Sequence, residues 1–324
     1  MGAVARIVTT CQNGRGHATA EKNREYMLGL FDRALLQKPD LVCFPEAFTG
    51  VGVSAPASEV AETIPGPTTD AFAKRAKENR CYVICPIRTK RDGEEWNSAI
   101  IIDRAGDILG IYDKAQPVTT SHDYTVFENG VTPGGEPPVF DLDFGRIGIQ
   151  ICFDAGFPES WAGLAAKDAK AVFWSSAYDG GFTLQAYARI HHFYVITSVR
   201  SQRSRVIDPC GRVVAETDPL VNLVVRDLNL DFVVAHNDFN WPVVDRIIDA
   251  YGDRVRITSY RDDGHFIVEP MDASITSTQL QEEFRFESTF QYHDRHRAAY
   301  AEIHKGEPPT PQKAAHGDRA QYSK

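Results

Sequence analysis

The stretch GRIGIQICFDAGFPES, residues 145–160, places Cys152 where an apolar strand gives way to an acidic turn containing Gly156 and Pro158. Gly148 to Ile151 reads as the end of a buried strand, and Asp154 to Pro158 cannot continue it, so the thiol stands at the mouth of a site. Two earlier segments end in the same manner. LVCFPEAFTG, residues 41–50, closes an apolar run at Glu46, and GDILGIYDKAQPV, residues 106–118, closes another at Lys114. A carboxylate, an ammonium and a thiol thus occupy equivalent positions at strand ends. Charge placed so close to a core is costly unless it is paired, which favours a shared catalytic role over three separate structural ones.

The surrounding sequence alternates strands and helices. ARIVTT reads as a strand, ATAEKNREYMLGLFDRALLQ as a helix with Tyr26, Leu28, Leu30, Phe31 and Leu35 at helical spacing, and DLVCFPE as the next strand. TTDAFAKRAKENR follows Pro-Gly-Pro with Thr and Asp suited to capping, and CYVICPIR is a further strand. SAIIIDRAGDILGIYDK reads as a hairpin turning at Ala105 and Gly106. After Cys152 come a helix at ESWAGLAAKDA, a strand at KAVFWSSA, a helix near TLQAYARIHHF, and strands at YVITSVRS, RSRVIDPCG and RVVAETD. Such alternation predicts one layered α/β domain. VVRDLNLDFV reads as one more strand, WPVVDRIIDAYGDRV as a helix, and RITSYRDDGHFIVEP as a hairpin with a DG turn. On this reading residues 1–268 form the main domain and 269–324 an extension: an aromatic and charged segment suited to a dimer arm, then a polar Pro-containing tail expected to fray.

Composition narrows the partners. With 35 Lys plus Arg against 44 Asp plus Glu the net charge is −9, which disfavours attraction to nucleic acid or anionic lipid. No apolar run reaches the roughly 18 residues of a membrane span, and MGAVARIVTTCQN lacks the features of a signal peptide, so a cytoplasmic location is expected. Cys11, Cys43, Cys81, Cys85, Cys152 and Cys210 lie mostly in apolar stretches and predict reduced thiols. Cys81 and Cys85 share a strand face but lack a second ligand pair, so they read as core residues and not as a metal half-site. Neither metal nor cofactor is expected.

A thiol attacks a carbonyl carbon as thiolate and needs a base nearby, which Glu46 supplies. The oxyanion that forms needs a fixed cation and an N–H donor, for which Lys114 and the Phe153 amide fit. Glu46 then returns the proton to the departing amine.

FPEAFTG, IYDKAQPV and GRIGIQICFDAGFPES, in that order and spacing, resemble the nitrilase, or carbon-nitrogen hydrolase, superfamily. Weaker similarity at NSAIIIDRAGDILG, YARIHHFYVITS and SRVIDPCGRVVAET extends the resemblance over roughly residues 4 to 230. It implies a four-layer α-β-β-α sandwich that forms homodimers or larger homo-oligomers, and a Glu-Lys-Cys triad at Glu46, Lys114 and Cys152. A second glutamate that orients Lys114 and the substrate amide is implied at Glu128, with Glu136 as the alternative within ENGVTPGGEPPVF. The acyl pocket is implied around Trp174, Tyr178 and Phe182 in WSSAYDGGF.

True nitrilases typically follow the cysteine with Trp-Glu, whereas Cys152-Phe153-Asp154 resembles the amidase and carbamoylase branches. Relatives acting on acids often carry an Arg just after that Asp as a bidentate clamp. Ala155 and Gly156 stand there instead, with Arg189 or Arg203 as substitutes from elsewhere. The expectation is an amidase that releases ammonia from a small uncharged aliphatic or aromatic amide through a thioester. The alternatives are an N-carbamoyl hydrolase or a non-catalytic interaction protein of the same fold.

Overall fold

β1 (Val4–Thr10), the helix α1 (Ala20–Leu35) and β2 (Leu41–Cys43) form a strand-helix-strand unit with parallel pairing of Ile7 to Leu41 and Thr9 to Cys43. The structure is a computed structural model and describes residues 4–321. Thr19 caps α1 by accepting the Lys22 amide hydrogen, and Met27, Leu30, Phe31 and Ala34 form its buried stripe. A short helix, α2 (Ala57–Val60), precedes α3 (Pro67–Asn79), which starts with proline where a missing N–H costs nothing. β3 (Tyr82–Arg91) joins β2 in parallel, and β4 (Glu94–Ile102) and β5 (Ile108–Asp113) follow by antiparallel hairpins. The second of these is the hairpin expected at Gly106.

The second sheet begins with β6 (Val139–Leu142) and β7 (Gly145–Ile151), followed by α4 (Pro158–Ala166), β8 (Ala171–Ser176), α5 (Thr183–His191) and β9 (Tyr194–Val199). β7, β8 and β9 run parallel, and β10 (Arg205–Ile207) and β11 (Val213–Glu216) complete the sheet in antiparallel fashion. β12 (Leu223–Asn229) returns to the first sheet beside β1, giving the orders β12-β1-β2-β3-β4-β5 and β11-β10-β9-β8-β7-β6.

Side chains alternate across each strand, so each sheet shows one face to helices and one to the other sheet. Val8, Val42, Val83 and Cys85 pack on Phe31 and Phe72 of α1 and α3, while Val172, Trp174 and Val195 pack with Trp161, Leu184 and Tyr187 of α4 and α5. The result is the α-β-β-α sandwich. Cys81 and Cys85 lie fully in the first core, as the sequence predicts.

Between the sheets the fit is made by small hydroxyl side chains. Thr9 donates to the Thr197 carbonyl at 2.5 Å, Ser198 to the Thr10 carbonyl at 2.7 Å and Ser175 to the Phe44 carbonyl at 2.9 Å. Buried hydroxyls must be satisfied, so these bonds fix the register of one sheet on the other. Close approach is also required at Gly148. A Cβ there would lie 2.7 Å from Leu164 Cδ2, so glycine lets α4 sit directly on β7.

The residues divide into two compact units, Ala5–Leu228 and one comprising Asn229 onward with Val4. In the second, β13 (Val233–His236), β14 (Val255–Tyr260) and β15 (His265–Pro270) form a sheet in the order β13-β15-β14, covered by α6 (Trp241–Tyr251), α7 (Ser277–Phe284) and α8 (Thr289–His304). Val243, Ile247, Phe266, Leu280, Phe284 and Phe286 form its core. The sequence reading carried the main domain to residue 268 and so included the DG hairpin. That hairpin pairs instead with β13 in a separate sheet, and VVRDLNLDFV is two strands parted at Asp231.

The tail expected to fray is anchored over its described length. Ala315 N–H donates to Glu287, His316 stacks on Phe239 at 4.0 Å, and Phe239 N–H donates to the Gln321 carbonyl. No helix among the described residues is long and apolar enough to cross a membrane.

Candidate active site

Strand ends build the site. β2, β7, β8 and β9 each release the chain into a loop at their C-terminal ends, and β5 does so after two reversals that restore its direction. Glu46 follows β2, Lys114 follows β5 immediately, Cys152 follows β7 immediately and Arg200 follows β9 immediately. The Lys114 backbone is pinned on both sides, with its N–H on the Asn97 carbonyl and its carbonyl accepting from Gly134 N–H, each at 2.8 Å. A Cβ on Gly134 would fall 2.2 Å from the Asp113 carbonyl oxygen, so only glycine permits this clamp.

The Lys114 ammonium lies 3.0 Å from Glu46 Oε1 and is also hydrogen-bonded to Glu128 Oε1. Side-chain exposure is 1% for Lys114 and 4% for Glu46, so neither charge is tolerable without the other. Asn97 Nδ2 bridges the two carboxylates, at 2.8 Å from Glu46 Oε1 and 3.1 Å from Glu128 Oε2. Arg88 Nη2 reaches Glu128 Oε2 at 2.9 Å, and Arg200 Nη2 stands 3.6 Å from Glu46 Oε2. Of the two candidates for a second glutamate, Glu128 faces Lys114, whereas Glu136 is an exposed partner of Lys167.

Burial alone would push the Glu46 carboxyl up, but Lys114, Arg200 and the Asn97 amide outweigh it and hold it at about 2. Lys114 is moved the other way: burial opposes its charge, and Glu46, the Cys152 sulfur and Glu128 raise it above the ordinary lysine range. The Cys152 thiol is raised by burial and by the Glu46 charge, against the opposing pull of Lys114, the Ser176 hydroxyl and the Ala177 amide. The resting site therefore holds a carboxylate, an ammonium and a protonated thiol acting on one another.

Cys152 has φ +48°, a left-handed conformation uncommon for a side chain with a Cβ, and opens a 3-10 turn over Cys152–Gly156. Ala47, directly after Glu46, has φ +40°, and Glu128 has φ +42°. Backbone strain of this kind concentrates where surrounding structure enforces it, commonly at functional sites. Asp154 does much of the enforcing: it accepts from Ile151 N–H at 2.8 Å, the Tyr112 hydroxyl at 2.7 Å and Gln116 N–H at 2.9 Å, tying the Cys152 turn to the Lys114 loop. The first amides of a helical turn have no partner within it, which leaves the Phe153 N–H beside the thiol available to a ligand.

The residues expected to line an acyl pocket separate. Trp174 is fully buried and presents no surface to a ligand; its indole N–H donates to the Cys152 carbonyl at 3.1 Å. Its position after the apolar AVF run is a core position, and the expectation of a pocket wall is corrected to that of a support beneath the nucleophile. Tyr178 packs edge-on against Trp174 and is half-exposed within the field of Cys152. Phe182 precedes α5 and is 76% exposed. Arg203 is spent on Glu216 and Asp179.

Asn97, Arg88 and Arg200 were not singled out by sequence. Arg200 carried a readable signal, since it ends the apolar run YVITSV as Glu46 and Lys114 end theirs. A recess lined by Asn240, Trp241, Asp245 and Phe266 belongs to the C-terminal unit and contains none of these groups.

The chain is similar in sequence and in fold to several known proteins. A hydrolase of Schizosaccharomyces pombe is 24% identical over 217 residues, 59% of this chain and 66% of its own length, just under two thirds of that relative. The deaminated glutathione amidase of Synechocystis is 26% identical over 229 residues, 62% of this chain and 84% of the relative. The crystal structure of Saccharomyces cerevisiae Nit3, from branch 10 of the nitrilase superfamily, superposes with a TM-score of 0.61 at 18% identity, covering 77% of this chain and 94% of that one. The carbon-nitrogen hydrolase family profile matches residues 7–236, and the chain belongs to that family.

Proposed function

We propose that the protein is an amidase in which Cys152 is the nucleophile, Glu46 the proton carrier and Lys114 the principal oxyanion donor. The observation that carries this is the Lys114 ammonium held between Glu46 and Glu128 within the field of the Cys152 sulfur. An ammonium has three N–H donors. Two are taken by the glutamates, and the third remains for an oxygen bound at the thiol.

In the proposed cycle Cys152 Sγ bonds to the amide carbon while its proton passes to Glu46. The resting thiol sits high and the carboxyl low, so a free thiolate is not formed in advance; proton transfer accompanies attack. The carbonyl oxygen becomes an anion held by the Lys114 ammonium and the Phe153 N–H. Glu46 returns the proton to the nitrogen, the C–N bond breaks and ammonia leaves a thioester. Water then attacks the thioester, Glu46 takes its proton, and the acid departs as the thiol is re-formed.

Incubation with acetamide, butyramide and benzamide, followed by intact-mass analysis and an ammonia assay, tests the reading. An acyl adduct and ammonia are expected from the wild type and absent from Cys152→Ala. Adduct retained in Cys152→Ala, or none across the panel in the wild type, overturns it.

A further inference from the structure

Asn97 sits within β4, 1% exposed, and meets three charged residues of the site at once. Its side-chain amide nitrogen donates to Glu46 Oε1 at 2.8 Å and to Glu128 Oε2 at 3.1 Å, and its main-chain carbonyl accepts the Lys114 N–H at 2.8 Å. The amide can stand only one way round, because the reverse would set its oxygen against two carboxylates. That orientation leaves Oδ1 buried with no hydrogen-bond partner among the described residues, a cost that packing alone does not explain.

The two glutamates differ in how their oxygens are filled. A carboxylate oxygen has room for about two donors. Glu128 Oε1 accepts from Lys114 and from the Val118 N–H at 3.4 Å, while its Oε2 accepts from Asn97 and pairs with Arg88 Nη2 at 2.9 Å. Both of its oxygens are occupied. Glu46 instead carries Asn97 and Lys114 on the same oxygen, Oε1, at 2.8 and 3.0 Å. Its Oε2 has Arg200 Nη2 at 3.6 Å, outside hydrogen-bond range. Asp154, the other carboxyl coupled to Lys114, is turned to Tyr112, Ile151 and Gln116. A proton arriving at the paired glutamates therefore meets one open oxygen, and any other site requires a donor to be displaced.

Resting on the amidase reading above, we infer that Asn97 is a positioning residue: it reserves Oε1 of Glu46, so that Oε2 is the oxygen that exchanges the proton with Cys152 and with the leaving nitrogen, and it keeps Glu128 out of the transfer. The S–H bond breaks and an O–H bond forms at Oε2 as sulfur bonds to the amide carbon. That O–H then protonates the nitrogen as the C–N bond breaks. Without the amide, two carboxylates facing one ammonium lose the neutral donor between them, and the pair takes up a proton more readily at the expense of the base.

Asn97→Leu keeps most of the volume and removes both donors. On butyramide its kcat is expected to fall by about 100-fold or more with KM within about threefold of wild type, because the lost contacts are to the base and not to the substrate. The acidic limb of its kcat profile moves to higher pH than in wild type, while Lys114, Arg88, Arg200, Cys152, Asp154 and Tyr178 face the pair in both proteins. A kcat within about threefold of wild type, or a loss carried by KM with the acidic limb unmoved, overturns the inference. Should Asn97→Leu not fold, Asn97→Asp decides the matter. Its new carboxyl keeps the shape but donates only when protonated, so its kcat relative to wild type is expected to rise as pH falls, and a ratio constant with pH overturns the inference. No turnover of butyramide by the wild type, with no adduct on Cys152, refutes the amidase reading itself, whereas an active wild type beside an equally active Asn97→Leu refutes only the role of Asn97.

Discussion

Glu46 and Lys114 form a buried ion pair, Nζ to Oε1 at 3.0 Å, in which each charge is required by the other and both act on the Cys152 sulfur. Burial is the largest influence on the thiol and raises it, and the pair adds two opposed fields. Glu46 raises it and Lys114 lowers it, so the two partners have separable signatures.

Glu46→Gln keeps an acceptor for Lys114 and removes the negative charge. Turnover is expected to fall by about 10²- to 10⁴-fold with loss of the proton carrier. Alkylation of Cys152 by iodoacetamide is expected to respond in the other direction, with its pH midpoint moving down. Intact-mass alkylation rates across pH check this, and an unmoved or raised midpoint contradicts the electrostatic account.

Asp154 gives a pH dependence of stability with a definite sign. Burial, against the hydrogen bonds from Tyr112 and Ile151, raises its carboxyl to about 6, while an unfolded aspartate titrates at about 3.9. Between those values the folded chain holds a proton that the unfolded chain has lost. Its contribution is therefore complete below about pH 4 and is lost as pH rises through about 6, by an amount on the order of 3 kcal/mol. Asp154→Asn is expected to be less stable at every pH, since both carboxyl oxygens accept hydrogen bonds, and to lack that slope. Urea unfolding of both proteins from pH 4 to 7 measures the difference.

Trp174→Phe removes the donor to the Cys152 carbonyl and preserves most of the buried volume. An unsatisfied buried acceptor costs about 1–3 kcal/mol. The expected result is a loss of stability in that range together with a fall in kcat at nearly constant KM, because the indole touches the nucleophile's backbone and has no exposed surface for substrate. A rise in KM alone would restore Trp174 to the pocket wall.

Gly148→Ala should destabilise the protein by about 1–3 kcal/mol through overpacking against Leu164. Leu164→Ala creates a cavity of its own. The double variant is expected to be more stable than the sum of the two losses predicts, and simple additivity in thermal unfolding would rule out the close approach of β7 and α4 as the cause.

The alternation of strands and helices was legible through Asp113 and again from Gly145 to Glu216, because buried strands and amphipathic helices carry different periods and turns punctuate them. Glu46, Lys114 and Cys152 were legible because charge or thiol at the end of an apolar run has few structural uses. Asn97 and Arg88 were not, since they lie within strands where polar residues usually mean an exposed edge, and only the register of β3 on β4, which sets them side by side, reveals that both face Glu128. The separate sheet of β13, β14 and β15 was not legible for a related reason: a hairpin's sequence specifies its turn but not the sheet it joins.

The left-handed backbone at Ala47, Glu128 and Cys152 means that three turns of the site are held against their own preference by the sandwich beneath them. Such turns relax as soon as their restraint loosens, at a stage when helices and sheets are still intact. Heating should therefore silence the protein before it melts: the midpoint of thermal inactivation falls below the midpoint of circular-dichroism unfolding, and variants that weaken the hydroxyl bonds between the sheets widen that gap.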